Sequence, residues 1–236
     1  HTALRRQRQM CIRDRLGAFN EETPDWLSFF MFTFFTDRDG KMQLESLAQS
    51  GFDPLSRTCR FMLTEEAHHM FVGESGISRI IQRTCEAMNE AGITDPTDVE
   101  AVRKLGVMDL PMIQRKMNFH LAVTLDLFGN EVSTNAASAY EAGIKGRYQD
   151  TRLDDDHQLH NDTYAVLKVV DGELKMVEET ALNAINARLR DDYVKDAEGG
   201  VKRWNKLIKK AGFDYELSLP HIAFNRQIGE FSGLFV

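Results

Sequence analysis

TEEAHHMFVGESG, residues 64–76, sets two overlapping acid-x-x-His pairs inside a segment whose apolar residues recur at helical spacing. Residues three apart share a helix face, so Glu66 with His69, or Glu65 with His68, can ligate one metal ion. The face through Glu66 carries more apolar residues and is the better core face. Burying an ionised carboxylate there is costly without a positive partner, so the pattern favours a metal site at Glu66 and His69. A chance pair on a solvent-facing helix is the alternative.

A preceding helix is expected to supply a further ligand. It is predicted to start at the Thr-Pro pair 23–24 and to end at the turn SGFDP, residues 50–54. Residues equidistant from a tight turn lie at the same height on two antiparallel helices, and Asp37 precedes this turn by about as many residues as Glu66 follows it. Asp37 is therefore a predicted ligand. Asp39 is the rival acid, and an exposed turn at DRDG is the other interpretation.

A second helix pair is expected to repeat this arrangement. The third long helix is predicted over Pro111–Ala142 and carries Glu131 on an apolar face, and the glycines of AGIKG then reverse the chain. The positions opposite Glu131 fall in DDDHQLH, where the candidate ligands are Asp156, His157 and His160. Carboxylates and imidazoles from four helices suit iron or manganese. The sequence therefore predicts a mainly α fold, a ferritin-like four-helix bundle around two iron ions, unless DDDHQLH is only a solvated acidic helix end.

The last third of the chain changes from helical to alternating periodicity. TYAVLKVV and ELKMVEE flank an Asp-Gly pair at 171–172 and predict a small β-hairpin. Two extra C-terminal helices are predicted over about Ala181–Tyr193 and Gly200–Ala211. The predicted domain organisation is a non-native or disordered segment over 1–15, the di-iron four-helix bundle over 16–162, and the hairpin with its C-terminal helices packed on the bundle over 163–236.

Composition excludes several classes of protein. The 236 residues are 42% hydrophobic and 28% charged, as in soluble globular proteins, and a net charge of −7 argues against nucleic acid as a partner. The longest apolar run, WLSFFMFTFF at 26–35, is well short of the roughly 18 residues that a membrane span needs. The three cysteines show no C-x-x-C spacing and no secretion signal accompanies them, which predicts a cytoplasmic protein with Cys59 and Cys85 in its core.

Longer segments resemble one family. The segments FFMFTFFTDRDGK, GFDPLSRTCRFMLTEEAHHMFVGESG, FGNEVSTNAASAYEAG, RWNKLIKKAG and LPHIAFNRQIG are similar to the oxygenase components of the benzoyl-CoA 2,3-epoxidase family. The likeness extends from about residue 16 to the end, and because family members are longer at the amino end, it implies that this chain is truncated there. FGNEVSTN also resembles the third-helix segment of bacterial multicomponent monooxygenases. On that likeness Glu131 is an iron ligand and Thr134 and Asn135 line the oxygen side.

The fourth-helix motif departs from the Glu-x-x-His pattern that the resemblance implies. His157 occupies the acid position relative to His160. Either Asp156 supplies the missing carboxylate or the coordination at this helix differs from that of the family.

The resemblance implies a monooxygenase that uses two iron ions and O₂ to epoxidise the ring of benzoyl-CoA in aerobic benzoate degradation. It implies a separate reductase with FAD and iron-sulfur centres that draws electrons from NADPH, since no G-x-G-x-x-G follows a strand in this chain. An iron-storage or peroxide-scavenging protein with the same ligands is the alternative function, and a helical domain without metal is a third.

The CoA phosphates of such a substrate require cations. One basic cluster follows the hairpin and could bind CoA or the reductase, although the solvent face of an amphipathic helix would look the same. Its members are Lys202, Arg203, Lys206, Lys209 and Lys210.

Overall fold

The computed structural model describes residues 22–128 and 163–220, which are mainly helical. The helices are α1 (Trp26–Leu47), α2 (Asp53–Glu90), α3 (Val99–Lys104), α4 (Leu110–Leu125) and α5 (Ala181–Lys210), and the strands are β1 (Thr163–Val170) and β2 (Glu173–Thr180). Within these two ranges, no helix combines the length and the apolar character that crossing a bilayer requires.

The first two helices confirm the sequence prediction. The carboxylate of Asp25 caps α1 by accepting a hydrogen bond of 2.7 Å from the Ser28 backbone N–H, close to the predicted start. The DRDG segment lies inside α1, and its Arg38 and Asp39 side chains are buried, so the interpretation of DRDG as an exposed turn was wrong. Cys59 and Cys85 on α2 are both buried and free, as expected.

The chain forms two compact units. One comprises His1–Asp39, Ala67–Leu127 and Val194–Val236, and the other comprises Gly40–Glu66 and Phe128–Tyr193. Among the described residues, the core of the first unit includes Phe34, Phe35, Ile77, Met88, Ile113 and Trp204. In the second unit, Leu44, Ala48 and Cys59 form a cluster against which Leu47, Leu55 and Leu63 pack.

α5 is one continuous helix of 30 residues, whereas the sequence predicts a break before Gly200. The glycine serves close packing instead, because a Cβ at Gly200 would lie 2.5 Å from Cζ of Phe34. Trp204, one turn further on, packs against the same ring with centroids 4.7 Å apart. Arg38 covers the ring at 3.9 Å and donates a hydrogen bond of 3.1 Å to Asp196. Contacts with α1 thus override the local preference of glycine to end a helix.

α4 is the described part of the helix predicted over Pro111–Ala142. It begins with Asp109 accepting a hydrogen bond of 2.7 Å from the Met112 N–H, and it ends at Leu125. A 3₁₀ turn over Asp126–Phe128 follows, a tightening that is common where α-helices end. The predicted continuation to Ala142 and the predicted fourth helix lie outside the described residues.

The hairpin has the predicted strands and turn. β1 and β2 pair antiparallel, from Thr163 opposite Thr180 to Val170 opposite Glu173. Asp171 and Gly172 both have positive φ, 55° and 79°, as a two-residue turn of type I′ requires. Asp98 caps the short helix α3 by accepting a hydrogen bond of 3.0 Å from the Ala101 N–H.

His120 is a core histidine that the sequence does not single out. It is buried on α4, and its Nδ1 has no hydrogen-bond partner within the described ranges. Burial, and secondarily the charge of Lys116, lower its pKa from 6.5 to about 4, while Asp25 opposes the shift.

Replacing each of the two adjacent glycines of α5 tests whether the close approach of Gly200 to the Phe34 ring requires a glycine. Gly200→Ala is expected to lower the free energy of unfolding by about 1–3 kcal/mol, because the new Cβ meets Phe34. Gly199→Ala is the matched control. A Cβ there meets only the flexible end of Arg203 at 3.5 Å, so helix propensity is expected to stabilise the variant by up to about 1 kcal/mol. Urea denaturation measures both, and equal effects would contradict this explanation of Gly200.

His120 is expected to make stability depend on pH. Since its pKa is lower in the folded protein than in the unfolded chain, only the unfolded chain takes up the proton between about pH 6.5 and 4. The histidine therefore costs no stability above this window, and it removes about 3 kcal/mol as the pH falls through it. Urea denaturation from pH 7.5 to 4 is expected to show this loss in the wild-type protein relative to His120→Leu. A constant difference between the two proteins across the window would rule it out.

Candidate metal centre

Two of the predicted ligands lie together in the first unit. Nδ1 of His69 on α2 is 3.8 Å from Oδ2 of Asp37 on α1. Asp37 is largely buried, with 22% of its side chain exposed, whereas His69 is 47% exposed. A carboxylate and an imidazole at this separation can share an ion, since metal bonds of about 2.0–2.2 Å hold the ligand atoms of one ion roughly 3–4.4 Å apart.

Glu66 completes the cluster from the preceding turn of α2. It lies three residues before His69 on one continuous helix, so both side chains project from the same face. One ligand atom from each of Asp37, Glu66 and His69 lies within 4.8 Å of the others. The described residues contain no second group of three or more such side chains.

Burial supports the register chosen from the sequence. Glu65 and His68, the other acid-x-x-His pair, are exposed, as are Thr58 and Phe61 on their face. The face through Glu66 is buried at Cys59, Gly73 and Ile77. Met62 lies on the same face but departs from this pattern, since it is 41% exposed.

Of the two candidate acids Asp37 and Asp39, Asp37 is the one that belongs to the cluster. Asp37 lies close to both His69 and Glu66, and Glu66 also lies beside Gly40, where a Cβ would be 3.4 Å from its Oε1. Gly40 was not singled out from the sequence. The sequence feature that could have indicated it is a glycine three positions after a candidate ligand, because a small residue leaves room for a carboxylate on the opposing helix.

A network of hydrogen bonds between α5 and α2 was not predicted from the sequence. The guanidinium of Arg203 on α5 donates two hydrogen bonds to the Glu74 carboxylate on α2, one of them at 2.6 Å. The indole N–H of Trp204 donates to the backbone carbonyl of Glu74 at 3.3 Å. These contacts fix α5 to the part of α2 that follows His69.

The remaining predicted site residues lie outside the described residues and stay predictions. They are Glu131, Thr134, Asn135, Asp156, His157 and His160.

The donor set of the cluster fits an iron ion. Two carboxylates and one imidazole are harder than the thiolate sets of structural zinc sites, and such mixed oxygen and nitrogen donors suit iron or manganese. The fold and the cluster together define the class, a mainly helical protein with a candidate carboxylate-histidine metal site.

No protein-family model matches the chain. The chain is 57% identical over 221 residues to "Benzoyl-CoA oxygenase component B" of Aromatoleum evansii. The match covers 94% of this chain and 46% of that protein, so the chain spans about half the length of this curated relative. The comparison confirms the resemblance that was drawn from the quoted segments.

Metal binding at the cluster can be tested with neighbouring acids as a matched pair. We expect Glu66→Ala to weaken Fe(II) or Mn(II) binding by at least about tenfold, because a ligand is lost. Glu65→Ala is the control, since it removes an exposed acid of equal charge one residue away. Titration calorimetry under anaerobic conditions, with unfolding curves to verify the fold, measures the difference. Equal affinities of the two variants would exclude Glu66 as a ligand.

Proposed function

We propose that this chain is part of an oxygenase that acts on benzoyl-CoA. The observation that carries the proposal is its 57% identity, over 94% of its length, to a protein named for that activity. The cluster of Asp37, Glu66 and His69 supports it independently, since an oxygenase needs a centre that can handle O₂ and these side chains offer a suitable donor set.

We further propose a ferritin-like four-helix bundle over 16–162 with a di-iron centre inside it. Such a bundle takes ligands from four helices, and Asp37 on α1 with Glu66 and His69 on α2 would supply one half of the set. The other half would come from Glu131, in the segment that follows α4, and from Asp156, His157 and His160. The proposal also places Thr134 and Asn135 on the oxygen side of the centre.

The residues have separable roles in this scheme. Asp37 and Glu66 would neutralise the positive charge of the metal, and His69 would add a neutral donor. Iron held there would supply the redox chemistry that O₂ activation requires. Apolar side chains such as the fully buried Phe34 and Phe35 would keep bulk water out of the helical core near the ligands.

The overall reaction adds one oxygen atom across the 2,3 bond of the thioester-activated ring and releases the other as water. It consumes two electrons and two protons, which must come from outside the chain. The relative is named as component B, which indicates further components in its system. We propose a separate FAD and iron-sulfur reductase that uses NADPH as this source, and a cytoplasmic location, in line with the two free, buried cysteines.

The iron-storage or peroxide-scavenging alternative shares the ligands. It predicts a bundle without the hairpin, whereas β1 and β2 form one. The hairpin therefore counts against it.

Labelled oxygen tests the proposed function. The iron-loaded chain, benzoyl-CoA, a chemical reductant and ¹⁸O₂ are expected to give a product that carries one labelled oxygen atom, detected by mass spectrometry. His69→Ala is expected to lower this incorporation at least about a hundredfold through loss of a metal ligand, whereas His68→Ala, on the exposed face, retains it. Consumption of O₂ without label in the acyl-CoA would favour the storage or scavenging alternative.

A further inference from the structure

A cleft lies beside the last turns of α5, where the chain folds back against the helix. Its volume is about 500 Å³, and one wall carries three lysines of α5 while the other carries Tyr215 between two acids. Protein clefts that hold small molecules have volumes of about 300–1,000 Å³. A concave space of this size suits part of a small molecule better than the broad patch that a protein partner covers.

The wall opposite α5 is fixed by the fold. Gly212 turns the chain with φ 92°, and the side chains of Phe213 and Leu217 are buried. Asn205 on α5 donates a hydrogen bond of 2.8 Å to the Leu217 carbonyl and accepts one of 2.9 Å from the Leu217 N–H. Because the segment is anchored on both sides of Tyr215, the cleft exists before any ligand arrives.

The structure divides the basic cluster found in the sequence. Lys202, Lys206 and Lys209 line the cleft, at spacings of four and three residues that place them on one helix face. Arg203 is instead engaged by Glu74, and Lys210 is not among the lining residues.

The three lysines that line the cleft differ in whether they form an ion pair with the protein. Lys202 pairs with Glu198 at 3.3 Å, whereas Lys206 and Lys209 have no ion pair within residues 22–128 and 163–220. Two ammonium groups one turn apart are thus available to a ligand with two or more anionic groups.

The other wall argues for a nucleotide rather than a bare polyanion. Asp214 and Glu216 flank the half-buried Tyr215 ring, so the lining mixes cations, acids and an aromatic surface. Carboxylates repel a ligand that is anionic throughout, but they accept hydrogen bonds from ribose hydroxyls and an amino group. An aromatic ring offers a stacking surface to a base. Phosphates toward α5 and an adenosine toward Tyr215 satisfy both walls.

We propose that this cleft binds the phosphorylated adenosine end of the acyl-CoA, with Lys206 and Lys209 on its phosphates and Tyr215 against its base. The identity of the ligand as CoA rests on the proposed function, whereas the preference for an adenine nucleotide rests on the cleft. The cleft is a binding site, distinct in role from the residues proposed to hold metal.

Charge reversal inside and just outside the cleft tests the assignment. Adenosine 3′,5′-bisphosphate and CoA are titrated into the 236-residue chain by calorimetry. The double variant Lys206→Glu/Lys209→Glu is expected to weaken binding of both ligands about a hundredfold, roughly tenfold for each lost phosphate contact. Lys210→Glu, exposed and adjacent on the same last turn of the helix, is expected to change binding less than about twofold. Thermal unfolding verifies that each variant is folded.

A third probe separates nucleotide recognition from simple attraction of anions. Pyrophosphate is expected to bind at least about tenfold more weakly than adenosine 3′,5′-bisphosphate, and Tyr215→Leu is expected to reduce that difference. The proposal would be overturned if the double variant bound the nucleotide as tightly as the wild-type protein does. It would also be overturned if pyrophosphate bound as tightly as adenosine 3′,5′-bisphosphate. If the lysines instead docked a reductase, the double variant would bind the nucleotide as tightly as the wild-type protein, and this result would also overturn the proposal.

The test can fail independently of the proposed function. If the chain binds nucleotide through these lysines but never oxygenates benzoyl-CoA, the proposed cleft is supported and the proposed function is excluded. If the double variant incorporates ¹⁸O with an unchanged KM for benzoyl-CoA, the proposed function is supported and the proposed role of the cleft is excluded.

Discussion

The contact between Phe34 and two glycines is the constraint on which the described site depends. A Cβ at Gly73 would lie 2.6 Å from the Phe34 backbone nitrogen, and one at Gly200 would lie 2.5 Å from the Phe34 ring. α1 therefore approaches α2 and α5 more closely than any larger residue permits. Asp37 follows Phe34 by one turn, and His69 precedes Gly73 by one turn, so this packing sets the height at which the two side chains meet.

Features encoded within a few residues could be predicted from the sequence. The hairpin follows from an Asp-Gly pair between alternating strands, and the Glu66-His69 pair follows from helical spacing and apolar neighbours. These signals are local, because turn chemistry and helix periodicity act between residues close in the chain.

Features that depend on distant partners could not be predicted. The Gly199-Gly200 pair looks like a helix break because the ring that fills the space beside it is 166 positions earlier in the sequence. Arg38 looks like part of an exposed turn until its bond to Asp196, 158 residues away, is known. Counting from the turn pointed to Asp37 beside Glu66, but the 3.8 Å approach of Asp37 to His69 depends on the contact between α1 and α2.

The helix packing around Phe34 has a further consequence for the cluster. Main-chain proximity and aromatic packing bring Asp37 and His69 together. In the proposed metal centre, an ion would therefore bind side chains that the packing of these helices already positions. Loading would then be governed by ion supply and competition among metals, rather than by coupled folding of the kind that chelators reverse in small zinc domains.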